Sequence, residues 1–347
     1  MFLSFLLTQS SPAKSGAAIG YGGKLKKHMA KVLLVDADST IPNLALMKIS
    51  QYHKRKEDEV SLVKLMLPYY PNRKKNKYKI PSGFTKVYCS IVFEGNKNFI
   101  EGDAVYGGTG FDLTTKLPEE IENEDCDYDI YPENDTSYGF ITRGCIRKCK
   151  FCKVPEKEGY IKKVSSVDKI VKHKTVKFMD NNFLAYEGHK EILKELVDKK
   201  IRCQFNQGLD IRLIDKENSG LLSRLNYMGE YIFAFDSWNY KELIEEKLLL
   251  LGWRKDWQLK FFVYVHPSMN SGETRKRIMW LKERLLLPYI MRDISCWNSE
   301  FSDFYINIAS YCNQVHVFKK LDFNLFLEKR HTSSERISES KRIWESN

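Results

Sequence analysis

The sequence predicts an α/β protein in which a smaller doubly wound domain leads into a partial (β/α)6 TIM-like barrel. Three observations predict it. Apolar runs of strand length recur between residues 138 and 294, each followed by a helical pattern. The same strand–helix–strand order occurs once earlier, over residues 31–65. An acidic, polar stretch at 116–137 separates the two regions. Strands alternating with helices imply parallel strands joined by right-handed crossovers.

The chain has 347 residues, enough for two domains that each bury a core. Its 43% hydrophobic and 29% charged residues exclude a wholly disordered or collagen-like chain. No apolar run reaches the ~18 residues of a membrane helix, so no membrane partner is expected and a cytoplasmic location is. The start, MFLSFLLTQSSPAKSGAAIG, has a short apolar run without a basic flank and does not read as a secretory signal. Residues 1–29 read as a disordered leader, with Met29 directly ahead of the first strand.

The elements follow in order. KVLLVDA (31–37) is an apolar run ending in acid, as a buried parallel strand would be. PNLALMKISQYHKR reads as a helix with Pro42 in its first turn. EVSLVKL (59–65), KVYCSIVF (86–93) and DAVYGG (103–108) are further strands. These make a Rossmann-like, doubly wound domain over residues 30–130. The barrel strands are YGFIT (138–142), TVKFMD (175–180), RCQFNQ (202–207), YIFAFD (231–236), LKFFVYVH (259–266) and PYIMRDI (288–294). Each precedes a helical stretch, which gives six β/α units over residues 136–320, where a closed barrel has eight. Residues 321–347 read as a polar tail with room for one short helix.

The chemistry-bearing feature is GFITRGCIRKCKFCKVPE, which places Cys145, Cys149 and Cys152 as C-x3-C-x2-C just after the first barrel strand. Functional groups of such folds gather where strands end. Three thiolates on one loop can wrap a soft metal centre. A cubane iron–sulfur cluster normally takes four, so three leave one iron open to an outside ligand. A structural zinc site would want a fourth Cys or His nearby, and the next downstream His is His173. The odd number in the cluster disfavours disulfides.

C-x3-C-x-Φ-C with Phe151 as Φ, at the first strand of a β/α array, resembles the signature of radical S-adenosylmethionine (SAM) enzymes. The resemblance implies a [4Fe–4S] cluster on Cys145, Cys149 and Cys152, with SAM chelating the open iron. It implies reductive cleavage of SAM to a 5′-deoxyadenosyl radical that abstracts hydrogen from a substrate. It also implies a one-electron reductant of the flavodoxin or ferredoxin type. Phe151 would pack against the cluster or a bound ligand. Asp180, Asn181 and Asn182 in FMDNNFLA stand where the family holds the SAM amino group. Gln207 and Asp210, with Arg212, follow the third strand, and Asp236 follows the fourth; these suit the ribose or carboxylate of SAM. Arg143 would balance cluster charge. The fifth strand departs from the pattern, because VYVHPSMNSGET carries His266 where a Gly-rich segment is common, and no acid–base role follows from it.

Residues 30–130 resemble, more loosely, the cobalamin-binding domain that precedes many radical SAM domains. The D-x-H-x-x-G signature is absent, so cobalamin is not expected and the domain is expected to help cover the substrate channel. Gly107, Gly108 and Gly110 are candidates for close approach to a phosphate, in a Gly turn that lacks the G-x-G-x-x-G pattern. The remaining cysteines, Cys89, Cys126, Cys203, Cys296 and Cys312, are dispersed, which speaks against a second cluster and methylthiotransferase chemistry. The arrangement resembles radical SAM proteins of bacteria and their phages, which gives the chemistry and not the substrate.

The net charge of +11 and the basic loops at 54–56 and 73–79, with Tyr69, Tyr70 and Tyr78 near the second, suit a macromolecular substrate, RNA or protein. A small-molecule substrate under a lid is the second expectation. A non-catalytic iron–sulfur protein that senses redox state or binds nucleic acid is the third.

Overall fold

The computed structural model describes residues 29–68, 76–330 and 333–346. The leader at 1–28 and the part of the basic loop carrying Tyr69, Tyr70 and Arg73 lie outside the described residues.

The first lobe is a parallel sheet of β1 (Lys31–Asp36), β2 (Glu59–Lys64), β3 (Lys86–Ser90) and β4 (Val105–Gly107), in the order β2-β1-β3-β4. The chain leaves β1 to one side and returns on the other, as in a doubly wound sheet. Strand alternation gives β1 two apolar faces. Val32 and Leu34 pack on Leu46, Ile49 and Tyr52 of α1 (Leu44–Arg55). Leu33 and Val35 pack on Cys89, Ile91 and Ile100. Pro42 lies just outside α1, not in its first turn, because Asn43 is the cap, accepting from Leu46 N at 3.2 Å.

The polar groups at the β1/β3 switch point are committed to one another. Asp36 accepts from Tyr131 Oη at 2.8 Å, and Asp38 accepts from Val92 N, Phe93 N and Asn96 Nδ2. A Cβ on Gly108 would lie 2.3 Å from Ile91 O, and one on Gly110 2.4 Å from Phe93 C. Gly108 and Gly110 let this turn pack directly on the backbone of residues 91–93, a close approach within the protein where the sequence reading expected one to a phosphate. Tyr131→Phe should leave a buried carboxylate oxygen without its donor and cost about 1–2 kcal/mol, read from the urea midpoint.

The second region holds two parallel sheets. One contains β5 (Thr136–Gly139), β6 (Thr175–Phe178) and β7 (Arg202–Phe205), each beside its sequence neighbour, with the short strand Asn226–Tyr227 outside β7. The other contains β8 (Tyr231–Ala234), β9 (Leu259–Val265) and β10 (Leu287–Arg292), again in sequence order. They approach where Leu209 N donates to Ile232 O at 2.7 Å. The helices between are α2 (His189–Asp198), α3 (Lys216–Leu222), α4 (Lys241–Leu250) and α5 (Ser271–Glu283). Asp215 and Asn218 form a capping box at α3, and Asn270 caps α5.

In β9 buried residues alternate with half-buried ones. Leu259, Phe261, Val263 and Val265 face the helices, while Phe262 and Tyr264 occupy the other face. That second face stays partly open, and Tyr289 and Met291 of β10 are exposed.

The region read as a polar tail is instead part of the core. After α6 (Ser302–Cys312) come α7 (Val315–Lys320), α8 (Phe323–Glu328) and α9 (Ser334–Glu345). Phe323, Phe326, Leu327, Ile343 and Trp344 are buried in the main cluster. The helical stretch after β7 is short, ending at Leu222 and followed by the Asn226–Tyr227 strand.

Candidate functional site

Cys145, Cys149 and Cys152 are free thiols of intermediate burial on the loop that leaves the first strand of the second region. Gly144 sets the start of the loop. Its φ is +91°, and a Cβ there would lie 2.4 Å from Tyr160 O, so only glycine lets the loop close on residues 159–160. Cys145 N then donates to Gly159 O at 3.1 Å.

Three consecutive side chains after β6 shape this loop. Asp180, 2% exposed, accepts from Ile141 N and from Thr142 N and Oγ1, the last at 2.7 Å. Asn181 Oδ1 accepts from Gly144 N at 3.0 Å. Asn182 Nδ2 donates to Cys145 Sγ at 3.3 Å and lies 3.4 Å from Asp210 Oδ2. Asn182 Oδ1 is buried and has no partner among the described residues. A buried acceptor left open costs free energy unless a ligand or water donates to it. Of the three residues expected around an amino group, Asn182 thus offers an open acceptor, while Asp180 and Asn181 are occupied in holding the loop.

Burial is the largest influence on Asp180 and pushes its carboxyl up to about 6, against the bonds from Thr142 and Ile141 that favour the ion. The folded state therefore holds this proton more tightly than the unfolded chain. The associated stability is present below about pH 4 and lost as pH rises through 6, roughly 3 kcal/mol from a shift of this size. Asp180→Asn removes the titration. Between pH 4 and 7 the urea midpoint of the wild type should fall relative to that variant, and parallel profiles would contradict the assignment.

Asp210 is the ionic hub. Its oxygens accept from Arg147 Nε at 2.9 Å and from Arg212 Nε at 2.6 Å. Burial alone would raise this carboxyl, but the Arg212 and Arg147 guanidiniums hold it below the usual range. Arg147 N also donates to Cys145 Sγ at 3.3 Å. The Cys149 thiol is raised by burial first; Arg212 opposes, while Cys152, Asp236 and Cys145 add to the rise. Asp236 accepts from Tyr264 N at 3.1 Å and is itself raised by burial. Fully buried Arg277 donates to Phe235 O at 2.8 Å and to Tyr264 O, tying the ends of β8 and β9 together beneath it.

Phe151 stacks on Tyr264 with centroids 4.0 Å apart, which docks the cysteine loop on the end of β9. Gln207 is exposed and makes no side-chain hydrogen bond among the described residues. Arg143 pairs with Glu158 and Glu122 and lies over Phe140, so its charge is answered by carboxylates. His266 Nδ1 is 2.8 Å from Ser268 Oγ, a local turn contact.

The structure thus gathers Cys145, Asn182 and Asp210 by direct contact, and Asp236 and Cys152 around Cys149. Sequence reasoning missed Arg147 and Tyr264. Arg147 lies between the first two cysteines, where a cation beside thiolates was a readable signal.

The donor chemistry fits a cluster: three free thiols on one loop, N–H donors on a cysteine sulfur, and two guanidiniums beside them. Among the described residues no three His, Cys, Asp or Glu side chains stand in finished ligating geometry, so the thiols are neighbours without forming a closed set. Compared with known proteins, the chain matches no family model and no curated protein.

Proposed function

We propose that this chain is a radical SAM enzyme. The observation that carries the reading is the C-x3-C-x2-C loop at a strand's carboxyl end with the open Asn182 acceptor beside Cys145. When bound, a [4Fe–4S] cluster would supply one electron to SAM, releasing the radical that takes hydrogen from the substrate. Cys145, Cys149 and Cys152 would be the ligands.

The remaining residues bind and orient. Asn182 Oδ1 would accept from the amino group of SAM. Arg147 and Arg212 share the single Asp210 carboxylate and hold the loop, which leaves one positive charge in excess beside the thiols. Asp236 and the Phe151–Tyr264 pair close the side toward β9. The sequential, all-parallel strand order supports a six-unit partial barrel. The first lobe contacts the cysteine loop, with Lys157 Nζ bonded to Thr109 and Lys153 to Glu94, which supports a covering role. No helix among the described residues is long and apolar enough to cross a membrane; a one-electron reductant completes the reading.

Anaerobic reconstitution with iron and sulfide, then SAM and dithionite, tests this. The expected result is a brown protein with a cluster signal in electron paramagnetic resonance and release of 5′-deoxyadenosine. A reconstituted protein without iron overturns the reading. One that binds a cluster without cleaving SAM returns it to a non-catalytic iron–sulfur protein.

A further inference from the structure

We propose that the outer rim of the cysteine loop docks a single-stranded polynucleotide, which names a substrate class for the site above and rests on that reading for the chemistry after docking. Residues 143–163 carry eight Lys or Arg against two Glu, a net +6 of the chain's +11. Four of the eight have partners: Arg143 pairs with Glu158 and Glu122, Arg147 with Asp210, Lys153 with Glu94, and Lys157 donates to Thr109. Lys148, Lys150, Lys162 and Lys163 are exposed and meet no carboxylate among the described residues. Lysines elsewhere do: Lys190 and Lys199 each bridge two carboxylates.

Aromatic rings are interleaved with the free ammoniums. Tyr160 is 74% exposed beside the Lys162–Lys163 strand, which pairs with Thr142–Arg143. Phe151, 44% exposed, follows Lys150 and stacks on Tyr264. Beside it opens a cleft of about 380 Å³ whose wall includes Lys150, Phe151, Tyr264, His266 and Met269. That volume admits a nucleoside-sized group. Ammoniums for phosphates with flat rings for bases is the arrangement that binds single strands with little sequence preference. An acidic protein partner would use the charges and leave the exposed rings idle, so the rings favour the polynucleotide.

Fluorescence anisotropy with a labelled mixed-sequence single-stranded RNA, the same sequence in DNA, its duplex, and an acidic flavodoxin-type protein tests this over a salt series. Single strands of one or both kinds should bind. Lys162→Ala with Lys163→Ala should weaken binding about tenfold and lower the salt slope by about 1.4, at 0.7 per phosphate contact. Tyr160→Ala should weaken binding about tenfold with the slope unchanged, because stacking releases no counterions. Lys190→Ala with Lys194→Ala, away from the rim, should bind as wild type, and circular dichroism checks that every variant is folded. The wild-type protein without added iron and sulfide should bind as the reconstituted protein does, so docking can stand even where no cluster assembles. Rim variants that bind as wild type, a duplex that binds as tightly as the single strand, or binding of the acidic protein alone would overturn the proposal.

Discussion

Cys149→Ala is expected to abolish both the reconstituted cluster and 5′-deoxyadenosine formation, while Cys126→Ala retains both. The contrast lies in the surroundings of the thiols. Burial raises Cys89 and Cys203 to about 12 and Cys126 and Cys296 to about 11, and it raises Cys312 well above the ordinary thiol value. Those thiols stay protonated and are poor ligands. Cys149 is also raised by burial, but it shares one loop with Cys145 and Cys152, whereas the other five are dispersed. Removing one of three ligands leaves two, too few for a site-differentiated cubane. Iron analysis and electron paramagnetic resonance check the first half, and chromatography of the nucleoside checks the second. Retention of cluster and cleavage in Cys149→Ala would sink the assignment.

Asp210→Ala is expected to cost about 3 kcal/mol of stability, because it strands two guanidiniums at a partly buried site. The Asp210 side chain is 5% exposed, and those of Arg147 and Arg212 are 33% and 26%. The effect should depend on pH. Since the folded carboxyl is held below its ordinary value, its contribution is present above about pH 4 and fades as acid protonates it. The gap between wild type and variant, read from urea midpoints, should narrow below that pH. The variant also frees Arg147, whose amide bonds Cys145, so reconstituted iron content should fall as well. An unchanged midpoint at neutral pH would show that Asp210 is not a hub.

Much of the fold was legible because strand cores such as VLLV and FFVYV are apolar runs; the caps Asn43, Asp215 and Asn270 were signals at helix starts that the reading did not use. The C-terminal helices were read as a polar tail because Ser, Glu and Arg are frequent there. Yet Phe323, Phe326 and Leu327 recur at helical spacing and carried the signal. At the site, the cysteines and the Asp180–Asn182 run were visible as strand-end clusters. What each contacts was not, because the choice between loop and ligand depends on backbone donors such as Thr142 N and Gly144 N that composition does not reveal. Gln207 shows the reverse: a polar group at a strand end that the structure leaves in solvent.

The grip of Asp180, Asn181 and Asn182 on Ile141, Thr142, Gly144 and Cys145 also sets an order of assembly. Cysteine loop and anchors are about 40 residues apart and belong to successive crossover units, so the loop takes its shape only once the second unit has paired with the first. A peptide cut from the loop would carry every thiol and none of its anchors. Metal loading therefore belongs after folding of this region, and a nascent chain stalled before residue 180 would present three reactive thiols in an unshaped segment, where oxidation competes with ligation.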